Sequence, residues 1–187
     1  MESPSVSQLK LLTPRSGQLR TVLDTDAYNE IDDQFAIVQM MLSPERLSVE
    51  AIYAAPFHNQ RSTGPKDGME QSFDEILRLF KRLNISADGL VHKGVGQYIG
   101  FQKKSVEAPA VDDLIARARA GTPENPLYVV AIAAISNVAS AILKAPDIMD
   151  RIVVVWLGGH DLNWRDTNEF NLRQDIGAAQ VLFDSGS

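Results

Sequence analysis

Residues 151–157 read RIVVVWL and residues 127–132 read LYVVAI. Both are apolar and rich in β-branched side chains, with no polar residue at alternate positions. A strand that alternates polar with apolar has one wet face. One that is apolar throughout is covered on both, as in a parallel sheet packed between two layers of helices. Residues 19–23 and 47–57 form two further runs of this kind, and 89–93 a weaker one. The segments between them carry helical spacing. Ile31, Phe35, Val38 and Leu42 define a first apolar stripe, stopped before Pro44. Phe73, Ile76, Leu77, Phe80 and Leu83 define a second, ending near Asn84. A third helix is expected around 111–120, a fourth through Ile135, Val138, Ala139 and Ile142, and a last one from Asp175 as N-cap to Phe183. Strand and helix alternate throughout. The expected fold class is α/β, an open, mostly parallel sheet with helices on both faces.

The 187 residues suffice for one such domain and are tight for two. Residues 1–18 are mixed and punctuated by Ser and Pro. They read as a leader or flexible N-terminus, with the domain spanning 19–187. A formal net charge of −6 and no basic run argue against nucleic acid as partner. The apolar run 127–135 is far too short to span a bilayer, so no membrane partner is expected. Without cysteine, thiolate chemistry and Cys-based zinc sites are excluded. A cytoplasmic setting fits that composition.

In open parallel sheets, ligands bind beyond the carboxyl ends of the strands. Three polar clusters fall at such ends. In the first, LRTVLDTDAYNEIDDQFAIV, Asp24 and Asp26 close a strand and Asp32 and Asp33 open a helix, with Glu30 between them. Either pair alone would do no more than cap a turn or favour a helix start. Together they are an oxygen-rich cluster suited to a hard divalent cation. The second cluster is FHNQ, where Asn59 is the expected ligand contact and His58 a solvated loop residue. The third is the loop GGHDLNWRDTNEFNLRQD, dense in Asn, Asp and Glu and suited to binding hydroxyl groups. Trp156 is expected in the core, while Trp164 could stack on a flat ligand. Residues 94–100, GVGQYIG, lack the Lys of a phosphate loop and the spacing of a dinucleotide fingerprint, and read as a turn.

The combination resembles the nucleoside hydrolase family of the inosine–uridine-preferring type. The resemblance runs from Leu19 to the chain's end. It rests on Asp24-Thr25-Asp26 followed by Asp32-Asp33, on AIAAISNVASAIL with Ser136-Asn137, and on Asn163 six residues before Glu169-Phe170-Asn171. It implies a Rossmann-like core and hydrolysis of the N-glycosidic bond of ribonucleosides by a metal-activated water. Asp26 and Asp33 would be side-chain ligands of one Ca2+ ion, with the backbone carbonyl near Ile132 as a third. Asp26 would also be the general base. Asp32, Asn59, Asn163, Glu169 and Asn171 would hold the sugar hydroxyls. A homo-oligomer is expected.

Two departures accompany the resemblance. Five residues separate DTD from DD where the family has three, which marks a divergent branch. Family members also run longer, and their C-terminal part carries a further metal-binding Asp and a His near the leaving base. The chain is therefore expected to be a fragment or a truncated form, nearly inactive alone. A non-catalytic nucleoside- or sugar-binding protein is the alternative reading. A haloacid dehalogenase-like phosphatase is a weaker one, because Tyr28 stands where those enzymes want Thr or Val.

Overall fold

A computed structural model describes residue 13 and residues 15–185. Eleven regular elements follow one another as β1 (Leu19–Thr25), α1 (Ile31–Met41), β2 (Leu47–Ala54), α2 (Pro65–Leu83), β3 (Val91–Lys93), α3 (Pro109–Arg119), β4 (Leu127–Ala131), α4 (Ser136–Lys144), β5 (Ile152–Trp156), α5 (Phe170–Gln174) and α6 (Ile176–Ser185). The five strands form one sheet in the order β3-β2-β1-β4-β5, and every pairing is parallel. One core cluster joins α1 and α2 to one face through Ile37, Met40, Met69, Ile76 and Phe80. A larger one joins α3, α4 and α6 to the other, around Val22, Leu127, Val129, Leu114 and Val138. Helices therefore cover both faces of the central strands, as their continuous apolar runs require, whereas β5 at the sheet edge is open on one face, with Val155 and Leu157 51% and 59% exposed.

Local chemistry sets the ends of several elements. Pro65 and Pro109 open α2 and α3, where a missing N–H costs nothing. Asn84 closes α2 in the left-handed conformation (φ 56°), its N–H bonded back to Phe80 and Lys81 carbonyls. Asp175 accepts the N–H of Ala178, so it does cap the last helix. Trp156 is partly buried, its ring 6.0 Å from that of Phe183. The leader expected over 1–18 lies mainly outside the described residues.

The expectation for α1 is overturned. Ile31, Phe35, Val38 and Leu42 do not form the buried stripe of α1. Ile31, Phe35 and Leu42 are 69%, 70% and 64% exposed, and the helix instead buries Asp33, Ile37 and Met40. Asp33, Ile37 and Met40 are related by steps of four and three residues, so they share a face. Bringing the Asp33 carboxylate inward fixes the helix's rotation and turns the more apolar stripe to solvent.

Candidate active site

β1 lies at the centre of the sheet, where the strand order reverses: the chain runs outward through β2 and β3, then returns to add β4 on β1's other side. At such a reversal the loops after adjacent strands diverge and leave a crevice at the carboxyl ends. Asp24, Thr25 and Asp26 stand there, and the first turn of α1 brings Asp33 back to them. All four are buried.

Each carboxylate is held by a neutral partner. Asn137, at the start of α4, donates its side-chain amide to Asp24 Oδ1 at 2.7 Å. Thr25 donates its hydroxyl to Asp33 Oδ1. Asn29 donates to Asp26 Oδ2 at 3.1 Å, and Asn59 in turn donates to Asn29 Oδ1 at 2.7 Å. The second oxygen of Asp24 is buried without a hydrogen-bond partner. Among the described residues, no Lys, Arg or His forms an ion pair with Asp24, Asp26 or Asp33.

This concentration of uncompensated charge shifts the acids. Burial lifts the pKa of Asp24 to about 7, against the hydrogen bond from Asn137 and with the charge of Asp33 adding to the rise. Burial likewise lifts Asp33 to about 7, opposed by the Thr25 hydroxyl and reinforced by Asp32 and Glu30. Asp26 is raised well above the usual carboxylate range, by burial first and the charge of Asp33 second. Burial and like charge both disfavour the anions and outweigh the hydrogen bonds that favour them, and a cation would offset both.

The other residues singled out from the sequence divide into those at the crevice and those away from it. Asn59 is at the crevice, linked through Asn29 to Asp26. Asp32 lies on the exposed side of α1's first turn, near enough for its charge to raise Asp33 and Glu30. Glu169 is the N-cap of α5, accepting the N–H groups of Asn171 (2.9 Å), Leu172 (2.8 Å) and Gly159 (2.8 Å). Its charge reaches Glu30 across the crevice. Asn171 donates to the carbonyls of Ile132 (3.1 Å) and Leu157 (3.0 Å), so the Ile132 carbonyl carries a hydrogen bond where a metal contact was expected. Asn163 lies in the exposed loop, its N–H bonded to Asp161 at 2.8 Å, with no hydrogen bond to the carboxylates among the described residues. Trp164 packs beside His160 in the same loop, their centroids 5.3 Å apart.

Three contributors were not expected. Asn29 falls among the residues that lengthen the DTD-to-DD spacing. Asp175 anchors the loop after β3, accepting the N–H groups of Ile99 (2.8 Å) and Gly100 (3.1 Å) and the Ser136 hydroxyl (2.7 Å). Tyr98, within the segment that reads as a plain turn, donates its hydroxyl to Gln174, which also accepts the His58 N–H at 2.8 Å.

The family model for inosine-uridine preferring nucleoside hydrolases matches residues 21–187. The chain belongs to that family. Among solved structures, a purine-preferring ribonucleoside hydrolase from Gardnerella vaginalis is 26% identical with a TM-score of 0.68, over 90% of this chain and 58% of that one. An inosine-guanosine nucleoside hydrolase is 20% identical with a TM-score of 0.65, over 90% of this chain and 56% of that one. The type III effector protein XopQ, solved with adenosine diphosphate ribose, is 15% identical with a TM-score of 0.64, over 97% of this chain and 58% of that one. The last two likenesses concern the fold alone. The chain thus spans under three-fifths of the length of each of these three structures. No curated protein matches it in sequence.

A metal cage is not ready-made. Among the described residues, no three carboxylate, imidazole or thiol side chains come together to hold an ion. The donors present nevertheless fit a hard cation. Asp26 feels the charge of Asp33, the Asp24 Oδ2 atom is orphaned, and the carboxylates offer oxygen alone.

Proposed function

We propose that this nucleoside hydrolase family member cleaves the N-glycosidic bond of ribonucleosides with water, releasing ribose and free base. The observation that carries the reading is the set of three buried, uncompensated carboxylates at the crevice where the strand order reverses. Departure of the base leaves positive charge on the sugar ring, and fixed anions in a water-poor site stabilise that charge strongly. Asp26 and Asp33, with Asp24 behind them, would hold one divalent ion, Ca2+ by resemblance to the family. When bound, such an ion supplies a water of lowered pKa.

The chain's own residues divide the remaining work. Asp26 accepts the proton of the attacking water, kept in orientation by Asn29 and, through it, Asn59. Asp32 on the open side of α1 binds a ribose hydroxyl. Glu169 and Asn171 contribute further sugar contacts by exchanging hydrogen bonds to backbone for hydrogen bonds to hydroxyls. A second reading, binding without turnover, draws on the Ile132 carbonyl and the Glu169 carboxylate, both of which are engaged in hydrogen bonds within the chain.

The test is hydrolysis of inosine, uridine and p-nitrophenyl riboside by the full-length protein, with Ca2+ and with a chelator. Nitrophenolate leaves without a proton, so this substrate asks little of the leaving-group side of the site. Calcium-dependent cleavage, fastest on the nitrophenyl riboside, is the expected result. Riboside binding without cleavage would favour the second reading, and neither binding nor cleavage would overturn both.

A further inference from the structure

Asn137 joins α4 to the ends of β1 and β2 and to the loop after β3. It lies in the first turn of α4 and is fully buried. Its amide nitrogen donates to Asp24 Oδ1 of β1 at 2.7 Å and, at 3.4 Å, to the carbonyl of Ala54, the last residue of β2. Its amide oxygen accepts the N–H of Val95 at 2.8 Å. That last contact fixes which way the amide faces. A backbone N–H can only donate, so it meets the oxygen, and the nitrogen is left to face Asp24. Gly94 permits this close approach, since a Cβ there would come within 2.1 Å of the Ala54 carbonyl and 2.5 Å of the Asn137 amide.

The nitrogen and the oxygen of this amide are both engaged and both buried, so Asn137 has nothing left to offer a ligand directly. What it controls is Asp24. Among the described residues, the Asp24 carboxylate has no other hydrogen-bond partner: Oδ1 is taken by Asn137, and Oδ2 is buried without one. A donor on one oxygen alone pins the rotation of the carboxylate, and the oxygen left free is always the same. As a support for the fold this is a poor arrangement, because a buried carboxylate oxygen without a partner costs more than an apolar pair of the same shape. As a mount for an oxygen that faces a cation it is a good one. The amide is neutral, so it orients the anion without competing with the ion as a Lys or Arg would. Ser136 supplies the contrast. It is equally buried in the same turn and donates to Asp175, which holds Ile99 and Gly100 of the same loop, but it makes no hydrogen bond to Asp24.

We propose that Asn137 is a positioning residue of the crevice, its amide aligned by the Val95 N–H so that it holds Asp24 with Oδ2 free for the cation. The inference rests on the cation reading above. It adds a residue that acts on the ion through Asp24 without touching it, and it ties the order of the loop after β3 to the affinity of the site.

Calcium titrations of the full-length protein, each paired with a melting temperature measured without calcium, separate positioning from mere support. Asn137→Ala should weaken calcium binding about 10–100-fold, the usual cost of removing a partner that orients a metal-binding side chain. Ser136→Ala loses a hydrogen bond in the same turn and to the same loop, so it should lower the melting temperature and leave calcium affinity unchanged. Asp24→Asn keeps the shape of the side chain and removes its charge. It should weaken calcium at least as much as Asn137→Ala, because Asn137 acts only through that carboxylate. Asn137→Ser leaves a smaller void and repeats the measurement if the alanine variant does not fold. Calcium affinity unchanged in the Asn137 variants or in Asp24→Asn, or an equal loss in Ser136→Ala, would overturn the role of Asn137 alone. Wild type that binds no calcium overturns the cation reading with it.

Discussion

Two clusters of charge lie on the same central strands, and their balance differs. On the face under α3, Arg20 of β1 makes paired hydrogen bonds to Glu50 of β2 (2.7 and 3.0 Å) and another to the Arg117 carbonyl (2.9 Å). Arg117 bonds Asp113 at 2.6 Å, and Asp113 also accepts the Tyr53 hydroxyl at 2.8 Å. The register of β1 and β2 slips between Thr21 and Val22, so Glu50 is the extra residue of a bulge beside Arg20. Here each carboxylate has a guanidinium partner. At the carboxyl ends of the strands, Asp24, Asp26 and Asp33 have amides and a hydroxyl but no cation. A buried charge cluster that only supports the fold is neutralised from within. One left uncompensated implies a positive partner from outside the chain.

Removing a member of each cluster should break this contrast in opposite ways. The largest effect is expected for Asp26→Ala, which should lower calcium-dependent riboside hydrolysis about 10²–10⁴-fold, the usual range for a general base. Its melting temperature without metal should not fall, because a repelled charge has been removed. Activity within a factor of a few of wild type would show that Asp26 is not the base.

The next effect is on stability against pH. Asp24 and Asp33 have folded pKa values of about 7, above the ordinary carboxylate value of 3.8. A folded state that binds protons more tightly than the unfolded one is favoured at low pH. That stabilisation is full below about 4 and is lost as pH rises through about 7. Without divalent ions, denaturant unfolding should therefore show stability falling by a few kcal/mol, order of magnitude, between pH 5 and 8. Added Ca2+ should restore it at the upper end, and Asp33→Asn should flatten the profile. A metal-free profile that rises over this interval would contradict the assignment of these acids.

Glu50→Ala should act the other way. It strands Arg20 and part of Arg117, so it should destabilise at every pH from 5 to 8, with or without Ca2+. The cost should be roughly 1–3 kcal/mol, less than for a fully buried pair because about a fifth of each of the Arg20 and Glu50 side chains is exposed. Calcium dependence of that loss would link the two clusters and remove the contrast. The smallest effect on stability is expected at the outward face of α1. Phe35→Ser should change unfolding free energy by about 0.5 kcal/mol or less, yet reduce light scattering and hydrophobic-dye binding at high protein concentration. Scattering equal to wild type would dissociate the exposed Ile31–Phe35–Leu42 stripe from self-association.

The sheet is legible in the sequence because a strand buried on both faces is apolar at every position, as residues 127–132 are; residues 151–157 share the pattern, although Val155 and Leu157 stand exposed on the edge strand. The rotation of α1 is not legible. Counting apolar residues favours the stripe through Ile31 and Phe35, and only the need to turn Asp33 inward reverses it. Asp26 and Asp33 can be read from their density at one strand–turn–helix. Tyr98 cannot, because its partner Gln174 is 76 residues away and its glycine-rich surroundings look like any turn. Nor can the present hydrogen bonds of Glu169 and Asn171, since the same side chains that suit sugar hydroxyls also suit a helix cap and free carbonyls.

Calcium titration by calorimetry at pH 7, in two buffers of different ionisation enthalpy, tests the imbalance of charge most directly. Wild type should bind Ca2+ and release protons on doing so, because Asp24 and Asp33 are about half-protonated at that pH. Asp33→Ala should abolish the binding, while Glu50→Ala leaves it in place. Equal calcium affinity in Asp33→Ala and wild type, or binding with no proton released, would contradict a cation site at the ends of β1 and α1.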